Sequence, residues 1–331
     1  MIISRTPFRV SFFGGGTDYP VWYENNGGAV LSTSIDKYCY LTCRYLPQFF
    51  EHKHRIVYSK IEMVREINEI QHPAVRAILN YQKITDGVEI HHDGDLPART
   101  GLGSSSAFTV GLLNSLYALK GIMPTKDRLA KEAIHIERDA LKEHVGSQDQ
   151  IAVSYGGFNR ISFDKGGTFH VEPITLGKER LNELQDHLML YFTGFSRIAS
   201  HVAQKQIENT PKKQKELTMM HQMVDEAIAV LAGGNGITDF GKLMHESWQL
   251  KRSLTDKIST SEIDNIYQQA QDAGAVGGKL LGAGGGGFML FFVKPELQPQ
   301  VREKLKGLLE VKFRFESSGS QIIFYQDESF E

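Results

Sequence analysis

Short hydrophobic runs alternate with helical patterns through the first half of the chain. The runs typical of strands are IISRTPFRVSFF, AVLSTSI, YCYLTCRYL and GVEIHHDGDLP. Between them, the spacing of apolar residues predicts helices over 60–81, 105–120 and 126–143. GGFNRISF and TFHVEPI are separated by a polar, glycine-containing turn and predict a hairpin. This alternation predicts an α/β arrangement up to about residue 160.

The second half of the chain has longer helical patterns framed by strands. Strands are predicted for LMLYFTG and FMLFFV and for the closing segment 321–325. Helices are predicted after 293 and near 196–208, 211–232, 238–254 and 261–273. This order is typical of a separate α+β domain, and 331 residues are enough for two domains. We therefore expect one domain at 1–180 and a second at 181–331.

Composition and charge narrow the possible partners. The chain is 41% hydrophobic and carries a formal net charge of −2, so it has no electrostatic footprint for nucleic acid or for an anionic membrane. No segment is apolar over a length that could span a bilayer. Cys39 and Cys43 lie four apart in a predicted strand, too far apart to bond to each other. Two reduced thiols fit a cytoplasmic protein.

The segment LPARTGLGSSSA, residues 96–107, predicts a binding loop for phosphate. Gly101 and Gly103 allow backbone N–H groups to converge on an anion, and the serines at 104–106 add hydroxyl donors. The lysine of a Walker A loop is absent. A flexible linker is the alternative, but the following FTVGLLNSLYALKG has the apolar spacing of a helix, whose N-terminus favours anions.

Glu137 lies in the middle of the apolar stripe of the predicted helix 126–143. We expect this carboxylate to be buried, and a buried carboxylate needs a basic partner, a proton or a metal ion. Mg²⁺ suits the position because it combines one or two protein oxygens with phosphate oxygens. A structural ion pair remains the alternative.

Two further segments carry candidate acids. In GSQDQIAVSYGG, Ser147 and Gln150 form a capping-box pattern that places Asp149 in the first turn of a short helix. An ionised Asp149 there can accept a proton, although it can also serve only as a capping aid. In RTPFRVSFFGGGTDYP, a glycine run follows Arg9, and Asp18 beyond it can bind vicinal sugar hydroxyls or simply lie on a surface turn.

Taken together, these segments make the chain resemble the GHMP kinases, the family of galactokinase, homoserine kinase, mevalonate kinase and phosphomevalonate kinase. The resemblance rests on RTPFRVSFFGGGTDYP, LPARTGLGSSSA and GAVGGKLLGAGGGGF, which follow the order of the three family motifs. It implies an α+β two-domain fold, with an N-terminal α/β domain related to a ribosomal-protein domain and a C-terminal ferredoxin-like α+β domain. In the third motif, the glycine run from Gly284 is expected to pack against another loop or a ligand.

The resemblance also implies roles for individual residues. Asp149 and Arg9 match the catalytic positions, and Ser105 and Glu137 match the Mg²⁺ ligands. The ATP-binding positions are Pro97, Arg99, Gly101, Leu102, Gly103, Ser104, Ser105 and Ser106. The sugar-binding positions are Gly16, Thr17, Asp18, Tyr19, Gly284 and Gly285. Arg197 and Lys279 are candidates, on general phosphate-binding grounds, for a phosphate group on the sugar.

The opening segment is most similar to that of the heptose kinases of this family. It implies ATP-dependent phosphorylation of the anomeric hydroxyl of D-glycero-D-manno-heptose 7-phosphate, giving the 1,7-bisphosphate for nucleotide-activated heptose and surface glycans. Galactokinase has Glu-His where this chain has Gly15 and Gly16, which weakens the case for galactose. A kinase for an unphosphorylated sugar such as L-fucose, or a non-catalytic ATP and sugar sensor, stays open. The expected partners are ATP, Mg²⁺ and the sugar phosphate, for a cytoplasmic monomer or homodimer.

Overall fold

Two β-sheets organise the residues that this computed structural model describes, which are 1–98, 100–194, 199–234 and 236–326, without the side chains of 199–201. The larger sheet contains β1 (Ile2–Phe13), β2 (Gly28–Tyr45), β3 (His54–Val57), β4 (Ile61–Val64), β5 (Val88–Gly94), β6 (Phe158–Phe163), β7 (Phe169–Pro173), β12 (Phe315–Glu316) and β13 (Gln321–Tyr325). The smaller sheet contains β8 (Leu188–Phe192), β9 (Ala275–Leu280), β10 (Phe288–Val293) and β11 (Leu309–Glu310), in the order β11-β8-β10-β9.

Helices surround both sheets. They are α1 (Pro20–Asn26), α2 (Pro73–Tyr81), α3 (Ser104–Leu119), α4 (Lys126–Ile134), α5 (Gln148–Tyr155), α6 (Lys178–Asp186), α7 (Ala199–Asn209), α8 (Gln214–Ala232), α9 (Thr238–Ser253), α10 (Ser261–Asp272) and α11 (Gln298–Lys304). The predicted helices in the second half and the predicted hairpin of β6 and β7 are confirmed. Within the described residues, no helix has the length and apolar character needed to cross a membrane.

The long strands β1 and β2 form the centre of the larger sheet. They pair antiparallel along almost their whole length, with register shifts after Pro7 and after Ser11. The two predicted strands AVLSTSI and YCYLTCRYL are in fact one continuous strand of 18 residues. The register shifts are local irregularities of the β1–β2 pairing, and they do not interrupt β2. No turn therefore separates the two predicted strands. The end of β1 and the glycine loop that follows it reach the candidate site.

The prediction of one helix over 60–81 is wrong. Residues Ile61–Val64 form β4, in which Glu62 is buried between exposed neighbours, the two-residue alternation of a strand. Glu62 accepts the backbone N–H groups of Gln71 and His72, which satisfies its buried carboxylate. The helix begins only at Pro73, whose fixed backbone angle suits the first helical position.

The predicted helix 126–143 ends early. The α-helical part stops at Ile134, and a π-helical turn over His135–Ala140 follows it. Such wide turns inside helices are frequent at functional sites. This turn carries Glu137, which the site description below takes up.

Helix α3 is buried from Ser106 to Ala118 and fixes the position of the phosphate loop. Gly111 allows the close approach to β1, because a Cβ at this position would lie 2.9 Å from Thr6 Oγ1. The N-terminus of α3 is held at β1 by a hydrogen bond from Arg9 N–H to Leu102 O, at 3.0 Å.

The C-terminal segment returns to the larger sheet. Strand β12 pairs with β2, and β13 pairs with β1. The smaller sheet therefore contains strands only from the stretch between Leu188 and Glu310. The division into 1–180 and 181–331 stays a prediction.

Candidate active site

Arg9 and Asp149 form a bidentate ion pair at the centre of the candidate site. Arg9 Nε donates to Asp149 Oδ1 at 2.7 Å, and Arg9 Nη2 donates to Oδ2 at 2.6 Å. The Arg9 side chain is 3% exposed and that of Asp149 is 27% exposed. Parallel hydrogen bonds from a guanidinium group fix the plane of a carboxylate. Asp149 is thus held rigidly from one side and open to a ligand on another.

The phosphate loop lies directly against this ion pair. Arg9 Nη1 donates to Gly101 O at 2.7 Å, so one guanidinium group binds both the loop and Asp149. Gly101 and Gly103 have φ angles of 85° and 75°, a region that favours glycine. A Cβ at Gly103 would lie 3.1 Å from Arg9 Cγ and 3.7 Å from Asp149 Oδ2. Glycine at 103 therefore keeps the space above the pair open.

The start of α3 presents its first turn beside the same loop. Gly103 is the N-cap residue and has no side chain that could cap the helical N–H groups. Ser104 is half-buried, Ser105 is exposed and Ser106 is buried. A helix N-terminus with uncapped N–H groups and a neighbouring hydroxyl suits an anion.

The remaining predicted loop residues surround this turn. Leu102 is fully buried, and Pro97 is exposed, with its carbonyl accepting a hydrogen bond from Thr100. Arg99 lies outside the described residues. The roles of these residues toward ATP stay predictions.

Glu137 is buried, as predicted, and it contacts the phosphate loop. Its Oε2 atom accepts hydrogen bonds from Ser106 Oγ at 2.9 Å and from Gln150 Nε2 at 2.5 Å. Its Oε1 atom forms no hydrogen bond of normal geometry among the described residues, although the nearby Thr109 hydroxyl interacts with the carboxyl and lowers its pKa. No basic side chain of the described residues forms an ion pair with Glu137. Burial raises the pKa of Glu137 to about 7, and the hydrogen bonds offset part of this effect.

These features fit a bound Mg²⁺ ion better than a structural ion pair. Mg²⁺ needs only one or two protein oxygens beside phosphate oxygens, and Glu137 Oε1 is a buried oxygen next to the phosphate loop that forms no hydrogen bond of normal geometry among the described residues. No cluster of three metal-ligating side chains occurs in the described part of the chain. Ser106, and not Ser105, is the hydroxyl that contacts Glu137. The assignment of Ser105 as a metal ligand stays a prediction.

The capping box predicted at the start of α5 is wrong. Ser147 has backbone angles of −99° and 0°, outside the extended region of an N-cap residue, and its side chain caps no N–H group. Its Oγ atom instead lies 3.2 Å from the hydroxyl of Tyr23, and its N–H donates to Asp18 O. The side chain of Gln150 turns to Glu137. Asp149 is nevertheless in the first turn, as predicted.

Asp18 is buried close to the Arg9–Asp149 pair. Its Oδ1 atom accepts the Gly16 N–H at 2.8 Å, and a Cβ at Gly146 would lie 1.9 Å from its Oδ2 atom. Burial raises the pKa of Asp18, and the charge of Asp149 acts in the same direction. Gly146 is therefore required for the loop before α5 to close over this carboxylate.

The two neighbours of Asp18 hold the loop in place. Thr17 is fully buried, and its hydroxyl contacts Gly14 O at 2.8 Å and Ala29 O at 2.9 Å. Tyr19 is also buried, and burial raises the pKa of its phenol. The Thr17 contacts hold the loop that carries Asp18 in place. The sugar-binding roles of Gly16, Thr17, Asp18 and Tyr19 stay predictions.

The third glycine-rich motif packs against the phosphate loop. A Cβ at Gly287 would lie 2.2 Å from Thr100 O, which confirms that the glycine run from Gly284 approaches another loop closely. A Cβ at Gly282, just before the run, would lie 2.4 Å from Gly101 Cα. Gly284 and Gly285 contact the backbone of Ile258: a Cβ at Gly284 would lie 2.7 Å from Ile258 Cα, and Gly285 N–H donates to Ile258 O. Neither contact reaches the Arg9–Asp149 pair.

Of the two candidates for binding a sugar phosphate, Lys279 and Arg197, the structure describes only Lys279. Lys279 is 3% exposed, and its Nζ atom donates to Phe12 O at 2.7 Å. It therefore ties β9 to the end of β1. Arg197 lies outside the described residues. Both assignments stay predictions.

Lys251 is a residue of this site that the sequence analysis missed. It is 5% exposed in the last turn of α9, and its Nζ atom donates to Gly282 O at 2.5 Å. Burial lowers the pKa of Lys251 to about 8, and the charge of Arg9 acts in the same direction. Its spacing from Met244 and Trp248 puts it on the apolar face of α9, which was the available signal.

Comparison with known proteins identifies a family and several relatives. The family model described as the GHMP kinases N terminal domain matches residues 68–157, and that described as GHMP kinases C terminal matches residues 226–310. The D-glycero-alpha-D-manno-heptose 7-phosphate kinase of Campylobacter jejuni is 30% identical over an alignment of 320 positions that covers 89% of this chain and 90% of that protein. A crystal structure of a D-glycero-D-manno-heptose 1-phosphate kinase from Bacteroides thetaiotaomicron has a TM-score of 0.79 at 22% identity, covering 99% of this chain and 100% of that chain.

A second curated relative has a different acceptor in its name. The bifunctional fucokinase/GDP-fucose pyrophosphorylase of Arabidopsis thaliana is 25% identical over 332 residues. The match covers 91% of this chain but only 30% of that protein. The likeness is thus confined to part of that larger protein.

Proposed function

This chain belongs to the GHMP kinase family, and from that premise we propose that it transfers the γ-phosphoryl group of ATP to the anomeric hydroxyl of D-glycero-D-manno-heptose 7-phosphate. The product would be the 1,7-bisphosphate, a precursor of nucleotide-activated heptose for surface glycans. The single observation that carries the chemistry is the Arg9–Asp149 pair under the phosphate loop. The relative from Campylobacter jejuni supports a sugar kinase of the heptose group.

The nucleotide site in this proposal is the loop from Gly101 to Ser106 with the start of α3. Backbone N–H groups and hydroxyls there would bind the ATP phosphates. Glu137, with Ser105 or Ser106, would hold Mg²⁺, which supplies charge neutralisation on the phosphates when bound. Phosphoryl transfer depends mainly on position and on charge stabilisation, which a preorganised loop of this kind provides.

Asp149 is the proposed base for the acceptor hydroxyl. The hydroxyl donates a hydrogen bond to the exposed side of the carboxylate and transfers its proton there as the oxygen attacks the γ-phosphorus. Arg9 holds the carboxylate in one orientation, and its positive charge stabilises the negative charge that develops. The bridging bond from phosphorus to the leaving oxygen of ADP breaks in the same step.

The acceptor site in this proposal is the loop from Gly16 to Tyr19. Asp18 accepts hydrogen bonds from ring hydroxyls. Gly284 and Gly285 are further acceptor-binding positions in the proposal, although their backbone contacts are with Ile258. Lys279 or Arg197 would bind the 7-phosphate; Lys279 would then have to exchange its bond to Phe12 O. The proposal also includes the domain division at 180/181 and a cytoplasmic location, where ATP and reduced Cys39 and Cys43 are both available.

A coupled assay of ADP release tests the proposal. The purified chain is given ATP and Mg²⁺ with heptose 7-phosphate, L-fucose, galactose or mevalonate, and kcat/KM is compared. We expect the highest value for heptose 7-phosphate, with the product phosphate on C1 by NMR. Preference for L-fucose would favour the second candidate, which the fucokinase relative supports. Binding of ATP and sugar without ADP release would instead indicate a sensor.

A further inference from the structure

Three basic side chains are buried together beside the Arg9–Asp149 pair. Arg9, Lys251 and Lys279 come from β1, α9 and β9. The charge of Arg9 lowers the pKa of both lysines, and the charge of Lys251 lowers the pKa of Lys279. Buried like charges are costly unless anions balance them. Arg9 is balanced by Asp149. Across the described residues, neither lysine has a carboxylate within ion-pair distance; each donates to backbone carbonyls.

Lys251 connects α9 to the phosphate loop through the third motif. Its Nζ atom donates to Gly282 O at 2.5 Å and to Leu280 O at 3.4 Å. The backbone at Gly282 packs on Gly101, whose carbonyl accepts the hydrogen bond from Arg9 Nη1. A continuous set of contacts therefore leads from Lys251 to the guanidinium group that holds the proposed base.

Asp18 is a buried carboxylate near this cluster that lacks a cation within ion-pair distance in the described residues. Its hydrogen bonds come from the neutral Gly16 N–H and the Gln148 amide, whereas Asp149 has Arg9. Lys251 and Lys279 both interact favourably with the Asp18 charge. An ionised carboxylate accepts hydrogen bonds at both oxygens, while a protonated one loses an acceptor position. A positive charge near Asp18 therefore favours the form that binds sugar hydroxyls.

We propose that Lys251 is a positioning residue for the acceptor, whose ammonium group fixes the third motif on the phosphate loop and keeps Asp18 ionised. This inference rests on the proposed kinase function. Loss of the Lys251 charge acts on the acceptor side, because Asp18 belongs to the acceptor loop. ATP binds at the start of α3, which Lys251 reaches only indirectly, through the backbone contact of Gly282 with Gly101, so ATP binding should change less than acceptor binding.

The charged groups facing Lys251 determine how the reaction responds to pH. They are Arg9 from β1, Asp18 from the loop after β1, Asp149 from α5 and Lys279 from β9. Burial and Arg9 lower the pKa of Lys251 to about 8, against the opposing effect of the two aspartates. Above that pH, Lys251 loses its proton. The kcat/KM for the acceptor should then fall by about tenfold per pH unit.

The test compares wild type, K251M and K242M with heptose 7-phosphate between pH 6.5 and 9.5. Lys242 is an exposed lysine of the same helix and serves as the matched control. K251M should raise the acceptor KM by about tenfold or more, change the ATP KM by less than about threefold, and show no fall near pH 8. K242M should behave as wild type, and K279M should keep the fall, which separates the two buried lysines.

The possible outcomes distinguish the two proposals. If wild type releases no ADP with any sugar of the panel, the proposed function is wrong. If wild type is active and K251M keeps its acceptor KM or its pH profile, only the assignment of Lys251 is wrong. Should K251M not fold, the wild-type profile decides, because a flat kcat/KM from pH 7 to 9.5 is incompatible with the proposal.

Discussion

Arg9 donates two parallel hydrogen bonds, of 2.7 and 2.6 Å, to the Asp149 carboxylate, although the two residues are 140 positions apart in the chain. The third guanidinium nitrogen donates to Gly101 O, so Arg9 binds both the phosphate loop and the proposed base. A shift of either the loop or the base is thereby transmitted to the other. The first two predictions below concern this arrangement.

Asp149→Asn should remove proton acceptance and leave the shape of the site unchanged. We expect kcat to fall on the order of a hundredfold or more, with little change in ATP affinity. Steady-state ADP release and equilibrium nucleotide binding measure the two quantities. Asp164→Asn, in the hairpin between β6 and β7, is the matched control, and it should keep full activity. Near-normal turnover of D149N would remove Asp149 from its assigned role.

Gly103→Ala should disturb the Arg9–Asp149 ion pair, because the added methyl group lies against Arg9. An alanine there meets both the unfavourable φ of 75° and the crowding of its Cβ against Arg9 Cγ at 3.1 Å. Gly121→Ala is the matched control, because Gly121 has a φ of 66° and no neighbouring atom within 4 Å of the added Cβ. Both variants should lose about 1–2 kcal/mol of unfolding free energy from backbone strain.

Only G103A should also lose activity, by about tenfold or more, since small displacements at a reacting centre are costly. Denaturant unfolding and ADP release measure the two effects. Equal activity of G103A and G121A would mean that the loop does not press on the ion pair.

Glu137→Gln should weaken the affinity of the enzyme for Mg²⁺. The neutral amide keeps the size of the side chain but removes the charge that a divalent ion needs, so the Mg²⁺ concentration for half-maximal activity should rise about tenfold or more. Glu303→Gln is an exposed control on α11. An unchanged Mg²⁺ titration of E137Q would exclude Glu137 as a ligand.

The same variant should be more stable than wild type when no divalent ion is present. The pKa of Glu137 is about 7 in the folded chain and ordinarily 4.5, so between these pH values the folded state holds a proton that the unfolded state has lost. Stability therefore falls as pH rises from 4.5 to 7 and stays low above 7. In EDTA at pH 8, E137Q should exceed wild type by about 3 kcal/mol. Equal stability at pH 8 and pH 5 would contradict the buried charge.

Lys251 should affect stability in the alkaline range. Its pKa is about 8 in the folded chain and ordinarily 10.5, so the folded state releases the proton first. Below pH 8 the buried charge destabilises the fold, and stability from this group rises as pH increases from 8 to 10.5. Unfolding curves at pH 7 and pH 10 should show this rise in wild type but not in K251M. A similar rise in both would assign it to another group.

Several elements were predictable because their signals are local. The apolar spacing after Gly103 indicated α3. The glycines at 101 and 103 indicated a backbone with positive φ angles, which residues with a side chain rarely adopt. The burial of Glu137 followed from its place in an apolar stripe. In each case the information lies within about one or two helical turns of the residue.

Other features escaped the sequence patterns because competing contacts decided them. The segment 61–64 pairs with β3 and cannot be helical, and Ser147 uses its side chain for Tyr23 instead of capping α5. Lys251 follows the periodicity of a buried position, yet a lysine there is unexpected without knowledge of the carbonyls that it meets.

The sequence by itself determined the family, the order of the motifs, the residues that can carry charge and the glycines that can adopt positive φ angles. Only the tertiary structure decided which of these residues meet: Arg9 with Asp149, Glu137 with Ser106 and Gln150, and Lys251 with the carbonyl of Gly282. The physical reason is range. Periodicity and backbone freedom are properties of neighbouring residues, whereas contacts between distant segments depend on how sheets and helices pack.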